Sequence, residues 1–207
     1  MDSLFIPTLE TERLWLRSLC RSDVDDYAAL NADPEVMHHL GGTWDRGRSW
    51  RHMAYILGHW QLRSAGMWAV EHREAGAFVG IVGFFEPEGW PGFELAGRLA
   101  RHWWGYGYAA EAARAALDHA FTVWTKDRVI SLVHPENRAS VRLVERIGER
   151  LLERIEHLGR EMLCYGIDRE SWDRPLAGLS AAPRAGSPWR DRLPASSARA
   201  PGSAPCR

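Results

Sequence analysis

The chain has 207 residues, 45% of them hydrophobic and 26% charged, with a net charge of −1. That length suits one domain with a substantial core, and the balanced charge gives no reason to expect nucleic acid or a membrane surface as a partner. No apolar run approaches the roughly 20 residues of a bilayer span, and "MDSLFIPTLETERL" lacks the long apolar core of a secretory signal.

In chain order, "LETERLWLRSL" alternates as a strand, with Leu14 and Leu16 on one face and Arg13, Trp15 and Arg17 on the other. Ser22 is placed to cap a helix over "VDDYAALNA", and Pro34 ends or redirects it. "DRGRSWRHMAYILGHWQLRSAG" predicts a second helix, closed near Gly66. Three short strands follow, "MWAVEH", "AFVGIVGFFEP" and "FELAGRLA", separated by turn-rich "REAG" and "EGWPG" as in an antiparallel meander. A helix is predicted from about Tyr106 to Trp124, then the strand "RVISLVH", then a helix over "ENRASVRLVERIG" stopped by Gly148. The strands "RLLERIEHL" and "EMLCYGIDRE", joined at Gly159, complete a mixed α/β layer in which one strand–helix–strand unit makes a parallel pair.

The predicted domain is 1–174. From residue 175 to 207 the chain is mostly Ala, Pro, Ser and Gly with scattered Arg, too poor in apolar surface to offset its ordering entropy, and disorder is expected. Cys20, Cys164 and Cys206 show no metal-ligand spacing, and their odd number argues against a disulfide framework, so a cytoplasmic protein without a metal site is expected. Eleven Trp is a high count, suited to core filling or to an aromatic cleft wall, and Trp44, Trp50, Trp60 and Trp90 are the candidates for such a wall.

The stretch "RHWWGYGYAAEAARAAL" sets Gly105 and Gly107 at the mouth of a helix. Unpaired N–H groups there suit a phosphate, and glycine lets it approach the backbone. A dinucleotide loop should follow its strand directly and be followed about 20 residues on by an acid at the next strand's end. Here Arg101–Trp104 intervene, and Asp127 precedes the strand "RVISLVH" instead of ending it. The context therefore disfavours a nicotinamide enzyme and leaves the pyrophosphate of coenzyme A, since the stretch is also spelled x-G-x-G-x-A, or a purely structural glycine pair at a tight helix start.

Taken in order, "LETERLWLR", "NADPEV", "MWAVEH", "VGIVGF", "FELAGRLARHWWGYGYAAEAARAALDHAF", "HPENRASVRLVERIG" and "CYGIDRESW" resemble the GNAT superfamily of acetyl-CoA-dependent N-acetyltransferases. The subgroup most similar is that of the ribosomal-protein N-terminal (RimJ/RimL-type) enzymes. The resemblance spans Leu9 to Trp172. It implies a mostly antiparallel sheet of about seven strands with a splayed parallel pair, flanked by about four helices. It implies that Trp104, Gly105, Tyr106, Gly107, Tyr108 and Ala109 wrap the pyrophosphate, with Arg101 adding charge. The strand "FELAGRLA" would carry a bulge and offer Leu99 and Ala100 main-chain groups to the pantetheine arm, which Asn137 would also reach.

For catalysis the resemblance points to Ser140 as proton donor to the leaving thiolate, because the tyrosine many relatives use for this is Val144 here. Glu149 stands where the family favours Phe, which should alter local packing. A protonated amine must lose a proton before it attacks, so a carboxylate or ordered water is needed; Glu86 and Glu94 are the candidates, with His134 a weaker one. The expected activity is direct transfer of acetyl from acetyl-CoA to a small-molecule or peptide amine by a monomer or homodimer. The alternative is a degenerate domain that binds an acyl-CoA without turnover. The first two helices and the "EPEGWPG" turn are expected to set acceptor specificity.

Overall fold

The first alternating stretch folds as two strands. In the computed structural model, which describes residues 5–172, β1 (Leu9–Glu10) turns at Thr11 and returns as β2 (Leu14–Arg17). The Thr11 amide donates to the Leu14 carbonyl (3.0 Å), and its hydroxyl donates to Glu111 (2.7 Å), a residue one hundred positions away. That tertiary contact makes the turn; local propensity does not reveal it.

Leu14 and Leu16 are fully buried, as the alternation predicts, but Arg17 is buried as well. Its guanidinium forks onto both oxygens of Asp23 (2.8 Å each) and onto Glu71 (2.7 Å). A buried cation is tolerated when paired and hydrogen-bonded this fully. Asp23 also accepts the Cys20 N–H (2.9 Å), so it, and not Ser22, organises the corner before α1 (Val24–Ala32). Asp33 then caps the single turn α2 (Pro34–Met37), with proline at the first helical position, where its missing N–H costs nothing. α3 (Arg46–Arg63) starts at the Asp45 cap and stops at Ser64, which is left-handed (φ 56°), before the expected Gly66.

The meander is as the spacing predicts: β3 (Met67–His72), β4 (Ala77–Phe85) and β5 (Glu94–Leu99). After it come α4 (Tyr108–Thr122), β6 (Arg128–Val133), α5 (Arg138–Ile147), β7 (Arg150–His157), β8 (Arg160–Asp168) and the short α6 (Arg169–Trp172). The eight strands form one sheet in the order β1-β2-β3-β4-β5-β6-β8-β7. Every neighbouring pair is antiparallel except β5–β6. The count exceeds the expected seven because the first strand is split in two. The tail expected to be disordered, 175–207, lies outside the described residues.

The core is aromatic. Trp68 is fully buried, donates its indole N–H to Pro7 O (2.7 Å), and stacks on Trp124 (5.7 Å between centroids, 8° between planes). Trp60 crosses it edge-on at 5.0 Å. Truncating either would cost about 3–5 kcal/mol. Trp60 therefore belongs to the core, whereas Trp50 is 58% exposed.

One feature of the sheet positions the site. β5 and β6 are in register at a single position, Glu94 opposite Ile130, and then part. β5 meanwhile pairs with β4 in unbroken register from Phe85↔Glu94 to Gly80↔Leu99. The bulge implied for β5 is therefore absent from that pairing; register shifts lie instead between Val70 and Glu71 in the β3–β4 pairing and between Leu151 and Glu153 in the β7–β8 pairing. Among the described residues no helix is long and apolar enough to cross a membrane.

Candidate active site

Beyond Glu94 the split between β5 and β6 opens into a cleft of about 1590 Å³, walled by β5, the turn before α4, the end of β6 and the first turns of α5. Of the residues singled out from sequence, Glu94, Leu99, Trp104, Gly105, Gly107, Tyr108, Ala109, Asn137 and Ser140 line it together; Ala100, Arg101, Tyr106 and Glu86 do not.

At the open end, Gly105 and Gly107 both have φ of 83°. Side-chain space does not require glycine: a methyl on Gly105 would meet nothing within 4 Å, and one on Gly107 only the Arg13 guanidinium at 3.6 Å. The backbone conformation requires it, since a left-handed residue with a Cβ is strained by about 1–2 kcal/mol. Gly107 caps α4, whose first-turn N–H groups have no partner within the helix and face the cleft. The turn is held from behind by residues the sequence did not single out. Arg13 donates to Tyr106 O (3.0 Å) and lies over the Tyr108 ring (4.6 Å). Its Nε is bound by Glu111 (2.7 Å), which also accepts the Arg13 N–H (2.9 Å). The opening β1–β2 turn and α4 thus clamp the loop between them. Arg101 turns away to ion-pair with Glu35 (2.8 Å) and Asp33 (3.4 Å).

Along β5, the Ala100 N–H is spent on Val79 O of the neighbouring strand (2.9 Å). By strand alternation, the main-chain groups of Leu95, Gly97 and Leu99 face the split instead. The Leu99 carbonyl accepts the Trp104 indole N–H (2.8 Å). On α5, Asn137 caps the helix, its Oδ1 accepting the Ser140 N–H (3.1 Å), which leaves its amide nitrogen free to donate. Val144 is buried in the α5–β8 packing. At the cleft rim His39 stacks on His134 (5.2 Å), and with Glu136 they bring three ligand atoms within 4.8 Å of one another. His134 Nδ1 accepts the Glu136 N–H (3.3 Å).

The closed end of the split holds two buried carboxyls. Glu94 is 7% exposed and accepts the Trp90 indole N–H at 2.6 Å. Burial pushes its carboxyl up to about 7, against the opposing pull of Trp90 and the Leu132 main chain. Glu149, just before β7, is also buried, and burial pushes it up to about 8, with the nearby Glu94 charge adding to the rise. Glu149 Oε1 lies 2.9 Å from the Ser131 hydroxyl, which lies 3.1 Å from the Leu95 carbonyl. One hydroxyl hydrogen cannot serve two acceptors. With Glu149 protonated both bonds form at once: Glu149 donates to Ser131, and Ser131 donates to Leu95. A side-chain relay thereby replaces the backbone bond β6 would otherwise give Leu95, at the point where the strands part. The family's Phe position is thus a buried acid here, a role its surroundings create and its place in the sequence does not announce.

Glu86 sits elsewhere. Its amide donates to His59 Nε2 (3.0 Å), and its carboxylate lies 3.9 Å from Lys126.

A sheet opened at its one parallel pair, with a glycine turn at the open end and buried acid at the closed end, is the construction of an acyltransferase, and the chain belongs to the GNAT acetyltransferases: residues 13–150 match the Acetyltransferase (GNAT) domain. It is similar to the protein YkkB of Bacillus subtilis, 30% identical over 174 residues, spanning 82% of this chain and 92% of that one. A solved acetyltransferase from Agrobacterium tumefaciens is 34% identical with a TM-score of 0.73, covering 79% of this chain and 95% of its own. A spermidine N-acetyltransferase from Vibrio cholerae, solved with coenzyme A and spermine, shares the fold (TM-score 0.65) at 21% identity, over 78% of this chain and 99% of its own.

Proposed function

We propose that this chain is an acetyl-CoA-dependent N-acetyltransferase that passes the acetyl group directly to a primary amine, of a small molecule or a peptide, within a ternary complex. The observation that carries the reading is the placement of Glu94. It is a buried carboxyl poised near neutrality at the closed end of a cleft whose open end presents helix N–H groups. A base is most effective when its pKa is near the working pH.

In this reading the amides of Gly105, Gly107, Tyr108 and Ala109 receive the pyrophosphate, with Trp104 and Tyr106 completing the turn, and the free edge of β5 at Gly97 and Leu99 and the Asn137 side chain hold the arm; Ala100, whose N–H is bonded to Val79, only flanks that edge. Arg101 contributes long-range charge, since its guanidinium is already paired. Glu94 takes one proton from the acceptor ammonium and later releases it to solvent; the freed amine bonds to the acetyl carbon; as the carbon–sulfur bond breaks, the nitrogen loses its second proton to solvent, and the thiolate takes one from solvent, directly or through Ser140, which solvent reprotonates. Glu86 is the other candidate base, reaching the amine only through intervening water. Coenzyme A bound to the Vibrio cholerae protein supports the co-substrate.

The test is a thermal-shift titration with acetyl-CoA, followed by thiol release over an amine panel. Stabilisation by acetyl-CoA and amine-dependent thiol release are expected. No stabilisation at saturating acetyl-CoA would end this reading.

A further inference from the structure

Resting on that reading, we infer that Arg98 is the specificity determinant for the acceptor, and that the acceptor is a small amine which also carries an anionic group, a carboxylate or a phosphate. Arg98 and Glu94 lie four residues apart on β5 and so on the same face of the strand, about 13 Å apart along it. Both line the cleft.

What distinguishes Arg98 is how it is held. Its Nε donates to Asn31 Oδ1 (2.8 Å) and its Nη2 to the Tyr27 hydroxyl (2.5 Å). The guanidinium lies over the rings of Tyr27 (5.4 Å) and Trp44 (4.9 Å). Every one of these partners is neutral. Most arginines in this chain that form side-chain contacts meet a carboxylate: Arg13, Arg17, Arg46, Arg63, Arg73, Arg101, Arg128, Arg154 and Arg169 all do. Arg98 is half-buried, yet among the described residues no carboxylate pairs with it, and its Nη1 has no acceptor.

The surroundings add donors and positive charge, not acceptors. Tyr27 accepts from Arg98, and its hydroxyl also lies 2.7 Å from His52 Nδ1. Burial, then Arg98 and Arg48, push His52 down to about 3, which keeps its ring neutral. Arg48 lies over the same Trp44 ring as Arg98, at 4.6 Å. The Trp44 indole N–H is buried with no acceptor. A rigid guanidinium with an open edge, beside unspent donors, is complementary to a planar or tetrahedral oxyanion. It repels a polyamine. The acceptor's amine would then sit by Glu94 and its anion on Arg98.

The experiment measures thiol release with β-alanine, γ-aminobutyrate and ε-aminohexanoate, each against its amide and the corresponding diamine, with phosphoethanolamine against ethanolamine as the phosphate arm. The wild type is expected to prefer the anionic member of at least one pair about tenfold or more in kcat/KM. Arg98→Gln should abolish that preference, mainly through KM, while acetyl-CoA stabilises the variant as it does the wild type. Arg98→Lys, which keeps the charge without the fork, should retain part of it and guards against misfolding of the first variant. Higher turnover of amides or diamines, an anion preference that survives Arg98→Gln, or acetyl-CoA binding with no turnover of any anionic amine would each overturn the inference. Failure of acetyl-CoA to bind the wild type would instead remove the transferase reading on which it rests.

Discussion

The two ends of the β5–β6 split are built by different physics. The open end works through backbone: two left-handed glycines, a helix terminus and their N–H groups, clamped from outside by Arg13 and Glu111. The closed end works through side chains: Glu94 under Trp90, and Glu149 relayed through Ser131 to Leu95. A backbone device depends on which residues lack a Cβ, so it can be read locally. A side-chain device depends on burial, which the sheet creates by bringing together residues from β5, β6 and the start of β7. The same comparison separates what each end can do, since N–H donors hold a charge in place while a buried carboxyl near neutrality can move a proton.

The largest effect should come from the closed end. Glu94→Gln keeps the shape and the Trp90 contact but removes the proposed base, and kcat/KM for any accepted amine should fall about a hundredfold or more. Acetyl-CoA binding, measured by calorimetry, should be unchanged. In the wild type kcat/KM should rise with pH through an apparent value near 7 as Glu94 loses its proton, and that limb should vanish in the variant. Lost cofactor binding in Glu94→Gln would mean that the two ends are not separable.

Glu149 gives the next effect, on stability. Its carboxyl is raised from the ordinary range to about 8, so the folded state keeps a proton that the unfolded chain gives up above about pH 4. Its stabilising contribution is therefore greatest at acid pH and declines as pH rises to about 8, by an amount on the order of a few kcal/mol. Glu149→Gln remains neutral throughout and still bridges to Ser131. The variant should match the wild type at about pH 4 and below and unfold at a higher temperature near pH 8.5. Parallel melting curves across that range would show that Glu149 is ionised in the fold, and the relay to Leu95 would then lack its proton.

Much of the open end was legible in the sequence. The glycine spacing, the four-residue spacer before it and "ENRAS" pointed to a coenzyme A loop, and the strand and helix order followed from periodicity and turn residues. Ser22 and Gly66 were misassigned as helix ends because Asp23 is recruited by Arg17 and because Ser64 adopts the left-handed turn first. Arg13, Glu111 and Arg98 carried no sequence signal, because each acts through a partner 67 or more residues away. Glu149 was visible only as a departure from the family's pattern, and its consequence depends on a burial that no local window contains.

A smaller effect belongs to the glycine turn. Gly107→Ala must hold φ near 83° with a Cβ, at about 1–2 kcal/mol. Since the new methyl meets only Arg13, at 3.6 Å, the loss is conformational and not steric. Thermal stability should drop by a few degrees and acetyl-CoA affinity by several-fold, with kcat at saturating acetyl-CoA nearly intact. A kcat loss as large as that of Glu94→Gln would mean that the turn does more than the phosphate holding proposed for it.

The smallest effects sharpen the comparison most, because they concern charged residues that the topology takes out of the cleft. Arg101 is committed to Glu35 and Asp33 on the surface, where such pairs are worth about 0–1 kcal/mol. Glu86 is turned toward Lys126, with its amide tied to His59. Arg101→Ala should change the KM for acetyl-CoA by less than about threefold, and Glu86→Gln should leave both kcat and its pH profile within about twofold of wild type. If Glu86→Gln instead removed the limb near pH 7, the proton would leave by way of Glu86 and water, and Glu94 would be a buried structural acid like Glu149. The pair Glu86→Gln and Glu94→Gln, assayed side by side over the same pH range, decides between them, because only one of the two carboxyls can own that limb.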